Sequence, residues 1–191
     1  MNKTEENIFK AFFEKKQNKL YFNQLQDLTK ASNSSLQNSL KKLEKNNIIK
    51  KEKTLSNTFY ILHDKKIFEL EFSRLAYKKF KELNSGVRIP LKNFLKEVPN
   101  NLFTIILFGS ASIKEEKKGS DIDLLVVFDK KVDLDNLRKK INISSNYPIS
   151  FFYSTIEQFN LNNDDIIIQA KKTGFPIYKE QNFYEVILNE Y

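Results

Sequence analysis

The chain of 191 residues contains no cysteine. Disulfides and thiolate metal sites are therefore excluded, and a reducing cytoplasm is the expected compartment. The single histidine, His63, has no second histidine to work with, so a histidine-based triad or zinc centre is excluded too; His63 is expected at the surface, at a strand end. No apolar run approaches the roughly 18 residues of a transmembrane helix, so no membrane partner is expected. The opening stretch "MNKTEENIFKAFF" carries acids and lacks a small-residue cleavage site, so it does not read as a signal peptide. Glycine is scarce, at four residues, and one of the four ends an apolar run.

What is abundant is lysine. The net charge is +8, and it is uneven: residues 1–65 hold 13 Lys against 7 Asp and Glu, whereas the remaining two thirds nearly balance. A basic first third points to nucleic acid or another anionic surface. The many Asn, Ile and Lys residues fit a lysine-rich proteome with AT-rich coding equally well, and charge alone leaves both readings open. The length suits one ordinary domain or two small ones, and apolar content is sufficient for a core.

Periodicity divides the chain into 1–64, a linking segment 65–87, and 88–191. In the first part, 4–16 reads as a helix capped by Thr4, with Ile8, Ala11 and Phe12 on one face. A short extended "LYF" follows, then a helix over 23–31, a polar turn "SNSS", and a helix over 35–47 with Leu36, Leu40 and Leu43 inward. Residues 48–62 read as a hairpin around "TLSN". This order, carried by "LTKASNSSLQNSLKKLEKNNIIKKE…NTFYIL", resembles the winged helix-turn-helix domain of transcription regulators. The resemblance implies double-stranded DNA as partner, with the third helix in the major groove and the hairpin wing on the flanking backbone. A 100° step places Ser34, Asn38, Lys41, Lys42 and Lys45 on the outer face of that helix, and Lys50, Lys51 and Lys53 fall on the wing. These residue types bond base edges or neutralise phosphates. Residues 65–83 read as a long amphipathic helix with a Phe72, Ala76, Phe80, Leu83 stripe, which either joins two domains or forms a homodimer. "NSGV" (84–87) reads as a linker, and 90–98 as a helix opened by Pro90.

The chemistry is concentrated in "FGSASIKEEKKGSDIDL", residues 108–124. An apolar strand run over 102–109 ends at Gly109 and Ser110. After ten residues a second strand opens with Asp121 and Asp123, which period 2 puts on one face, with Ile122, Leu124 and Val126 on the other. Two carboxylates side by side repel. A hard cation such as Mg²⁺, which takes one or two carboxylates plus substrate phosphates, removes that repulsion. Glycine allows close backbone approach, and Ser110 with the N–H groups after it can donate to a phosphate.

An apolar residue, Gly-Ser, about ten residues, then Asp-apolar-Asp-apolar resembles the minimal nucleotidyltransferases of the DNA polymerase β-like superfamily, over about 88–180. The resemblance implies an α+β fold, a mixed sheet flanked by helices. It implies ATP or another NTP held at Gly109 and Ser110, and Asp121 and Asp123 as metal ligands and catalytic residues. A nucleoside monophosphate would pass in line to an acceptor hydroxyl, with pyrophosphate leaving. The family's third carboxylate belongs on the next strand, "YPISFFYS" (147–154), where the best register puts Ser150 and no acid lies. Asp129, Glu157, Asp164 and Asp165 are the substitutes, each outside the expected element. Three functions follow: a nucleotidyltransferase with a DNA-binding arm, acting on a toxin-like protein partner or on a small molecule; a DNA-binding regulator whose second domain only senses nucleotide or partner; and a protein–protein module that holds no DNA.

Overall fold

The computed structural model describes residues 1–190 and divides into two compact units, Met1–Leu75 with the chain's last residues from Ile187, and Ala76–Val186. In the first unit the order is α1 (Lys3–Lys15), β1 (Lys19–Tyr21), α2 (Phe22–Thr29), α3 (Asn33–Lys45), β2 (Ile49–Lys53), β3 (Thr58–Leu62) and the start of α4 (Lys65–Lys81). The strands form an antiparallel sheet in the order β1-β3-β2. Helix α3 forms because Ser32 caps it, accepting the Ser35 N–H, and because Leu36, Leu40 and Leu43 recur at helical spacing and are buried. It starts two residues before the expected boundary, so most of the "SNSS" turn is helix. The cap of α1 is Asn2 rather than Thr4: Asn2 and Glu5 form a reciprocal capping box, whereas the Thr4 hydroxyl bonds that of Ser35. Phe68 of α4 is fully buried against the rings of Phe9 and Phe12, at 4.9 and 5.7 Å between centroids. Burying one such side chain contributes about 1.5–3 kcal/mol.

Three turns of this unit, at Lys16, Lys30 and Asn47, take the left-handed conformation that usually goes to glycine, and so do Lys114, Asn162 and Lys179 further on. His63 lies exposed just past β3.

In the second unit, α5 (Ser85–Glu97) precedes β4 (Leu102–Phe108), α6 (Gly109–Ser112), β5 (Ile122–Phe128), α7 (Asp135–Ser144) and β6 (Ile149–Thr155). Helices α8 (Ile156–Leu161) and α9 (Asp165–Thr173), strand β7 (Phe175–Tyr178) and helix α10 (Glu180–Glu190) follow, the part of α10 from Ile187 belonging to the first unit. The segment read as a linker is the first turn of α5. Val87, Leu91 and Phe94 are fully buried at i, i+4, i+7, so the apolar stripe begins before Pro90, which sits inside the helix. The sheet order is β6-β5-β4-β7, mixed, with β5 and β6 parallel and the other pairs antiparallel. β4 and β5 are central and almost wholly buried, which explains their continuous apolar runs. Phe94 of α5 packs on Phe151 of β6, while Leu125 and Phe152 share a cavity with Gln158 of α8 and Ile166 and Ile167 of α9. Helices thus cover both faces, and the chain is α+β with a mixed, helix-flanked sheet. No helix among the described residues is long and apolar enough to cross a membrane.

Candidate active site

The register of the second sheet assembles the site. Asp123 pairs with Phe108 on β4 and with Ser150 on β6. Gly109, the residue after Phe108, is therefore brought against Asp123. Its φ is +68°, and a methyl group built on it would collide with Asp123 Oδ2. The glycine is needed twice, for a left-handed backbone and for the space its missing side chain leaves to a carboxylate. The sequence suggested room for a phosphate; what fills that room here is Asp123.

Asp121 lies one residue before β5, is exposed, and accepts a hydrogen bond from Ser150 Oγ at 2.8 Å. Asp123 is half-buried. Burial, and then the neighbouring Asp121 charge, push its carboxyl above the usual carboxylate range. An anion already disfavoured by burial and by a like charge is a donor set suited to a hard cation, and two carboxylates are as many as Mg²⁺ ordinarily takes beside phosphate oxygens.

The Gly109–Ser112 turn is braced internally. Ser112 Oγ donates to the Gly109 carbonyl at 2.7 Å, and the Ser110 carbonyl accepts the N–H groups of Ile113 and Glu115. Ser110 is half-buried. The spacer closes on itself through Lys117 and Ser120, and Glu116 accepts from Asn84 Nδ2 at 2.6 Å.

The expected substitutes for a third acid do not join the pair. Among the described residues, no three His, Cys, Asp or Glu side chains converge as a metal site. Asp129 lies beyond the opposite end of β5. Asp164 caps α9, accepting the N–H groups of Ile166 and Ile167, and Asp165 follows in that helix's first turn. Glu157 belongs to the first turn of α8.

In the first unit, Ser34, Asn38, Lys41, Lys42, Lys45, Lys50, Lys51 and Lys53 are all exposed. They are not one cluster. Lys41, Lys51 and Lys53 line a groove of about 460 Å³ with Gln37, Asn57 and Tyr21, between α3 and the hairpin. Ser34, Asn38 and Lys42 border a separate hollow with Asn2 and Glu5. Lys45 and Lys50 line neither. Lys42 Nζ bonds the buried Glu5 carboxylate at 2.8 Å. Burial pushes Glu5 up, but the Lys42 bond, the Asn2 N–H and the nearby positive charges outweigh it and hold the carboxyl below its usual range. Sequence spacing missed this pairing because the partners are 37 residues apart. The groove residues Gln37, Asn57 and Tyr21 were missed too: Gln37 lies on α3 itself, and only the folded sheet brings Asn57 and Tyr21 beside it.

Residues 90–183 match the model of the family "Polymerase beta, Nucleotidyltransferase". The match supports a nucleotidyltransferase-superfamily domain over that segment, with nucleotidyl transfer as the family-level activity. No curated protein and no solved structure matches the chain.

Proposed function

We propose that this chain is a Mg²⁺-dependent nucleotidyltransferase that passes a nucleoside monophosphate, AMP from ATP, to an acceptor hydroxyl, and that its first unit is a winged helix-turn-helix arm for double-stranded DNA. The observation that carries the enzymatic half is the packing of Asp123 over Gly109, one residue from Ser110 and two from Asp121. Asp121 and Asp123 would hold the ion, which when bound offsets their repulsion and neutralises phosphate charge. Gly109 and Ser110 would position the triphosphate against that pair, with the Ser110 hydroxyl as donor. A toxin-like protein side chain is the acceptor most in keeping with a DNA-reading arm, in a toxin–antitoxin or other regulatory setting in the cytoplasm. That step is analogy at the level of fold. Support for the arm comes from the element order of the first unit, its lysine excess, and the grouping of Lys41, Lys51 and Lys53 beside the hairpin.

A second reading is favoured by a specific observation: the acid missing from β6. With Ser150 there and no third acid converging, the domain would bind nucleotide as a sensor while the first unit regulates transcription. Incubation with labelled ATP and Mg²⁺, with and without candidate acceptor proteins, separates the two. Transfer of label that disappears in Asp121→Asn/Asp123→Asn supports the enzyme. Mg²⁺-dependent ATP binding without transfer supports the sensor. Absence of Mg²⁺-dependent binding refutes both.

A further inference from the structure

Three strands meet at the carboxylate pair, and each contributes a different chemistry. β5 leads in with Asp121 and Asp123. β4 places apolar Phe108 opposite Asp123 on one side, and β6 places Ser150 opposite it on the other. Ser150 is half-buried as a residue, and its hydroxyl donates to Asp121 Oδ2 at 2.8 Å in an exposed hydrogen bond. Asp121 is otherwise exposed. A hydroxyl carried on a neighbouring strand ties one of its oxygens down and leaves the other for a ligand. Because Ser150 is neutral, the described residues offer two negative charges at this point and no third carboxylate. A second ion, of the kind that clamps both the attacking and leaving oxygens in two-metal sites, would have no protein carboxylate of its own.

We propose that Ser150 is a positioning residue that fixes the Asp121 carboxylate and limits the pocket to one divalent cation per bound nucleotide. This rests on the metal–nucleotide reading given above. It goes further by making the site competent to capture a metal–nucleotide complex while leaving the acceptor hydroxyl without an ion of its own, and it assigns that limit to one side chain.

The test is a Mn²⁺ titration of the full chain followed by electron paramagnetic resonance, in the presence of an ATP analogue with a methylene group between the α- and β-phosphorus. No turnover is needed. The wild type is expected to hold one Mn²⁺ per chain. Ser150→Ala is expected to keep that stoichiometry but weaken Mn²⁺ affinity by about threefold to tenfold, the loss of one hydrogen bond to a ligand. Ser150→Thr, which keeps the hydroxyl, is expected to retain wild-type affinity, and Ser150→Asp to hold a second ion. Circular dichroism of each variant guards against misfolding, and Ser150→Thr keeps the comparison interpretable should Ser150→Ala not fold. Two ions of similar affinity in the wild type, both lost in Asp121→Asn/Asp123→Asn, overturn the one-ion inference and leave the metal–nucleotide reading standing. Unchanged affinity in a folded Ser150→Ala overturns the positioning role. No nucleotide-dependent Mn²⁺ binding by the wild type overturns the underlying reading itself.

Discussion

Gly109→Ala separates two things that a glycine supplies at once. At φ +68°, any L side chain is strained, and the left-handed conformation costs about 1–2 kcal/mol. At Gly109 there is a second effect, because the new methyl group meets Asp123 Oδ2 and displaces that carboxylate. Gly119 offers a matched control. Its φ is +91°, also left-handed in sign, yet a methyl group there meets nothing within 4 Å. Both variants should therefore lower the melting temperature by about 2–8 °C, at about 2–4 °C per kcal/mol for a chain of this size. Only Gly109→Ala should lower Mg²⁺–ATP affinity, by at least about tenfold, since a loss of about 1.4 kcal/mol suffices for that. Calorimetric titration and thermal denaturation of the two proteins measure both quantities. Equal affinity losses in the two variants, or none in Gly109→Ala, would show that the contact between Asp123 and the glycine turn has no part in ligand binding.

Other perturbations follow from the same geometry. The raised pKa of Asp123 means that its protonated form stabilises the fold below the ordinary carboxylate range, and that this stabilisation is lost as pH rises through the raised folded value. Asp123→Asn should accordingly raise the melting temperature at neutral pH in chelator, with the gain vanishing in acid; a gain independent of pH would contradict it. Lys41→Ala with Lys45→Ala should lower the salt slope of DNA binding by about two, read from affinities across a salt series. Lys42→Ala should instead cost about 1–2 kcal/mol of stability in denaturant unfolding, because it strips a donor from buried Glu5. That deficit should fade as pH falls through the depressed folded pKa of Glu5. Asp164→Ala should cost about 0.5–2 kcal/mol as a lost helix cap and leave Mg²⁺–ATP affinity unchanged; a fall in affinity would reinstate Asp164 as a ligand.

Much of this was legible from local pattern. Period 2 separated Asp123 from Ile122 and Leu124, and the apolar runs around Gly109 and Asp121 located the two central strands. The resemblance also pointed to Ser150 on the next strand, and there it pairs with Asp123. What local pattern left out depends on atoms distant in the chain. The Gly-Ser to Asp-x-Asp spacing linked Gly109 to the acids, but the direct contact with the Asp123 carboxylate, 14 positions later, is visible only in the folded chain. The Lys42 partner sits on another helix altogether. Pro90 misled in the opposite way, since a proline at a helix's first position is the commoner arrangement and here the helix had already begun. The cap falls at Asn2 rather than at the expected Thr4 because Asn2 and Glu5 satisfy each other's backbone N–H groups reciprocally, a pairing that acids in the first turn do not by themselves reveal.

The lysines that end α1 and α2, Lys16 and Lys30, hold backbone angles at which a glycine would rest without strain. A protein so sparing of its smallest residue has left tension at its corners. Relieving it by single exchanges would make the same architecture hardier, without touching the contact between Gly109 and Asp123.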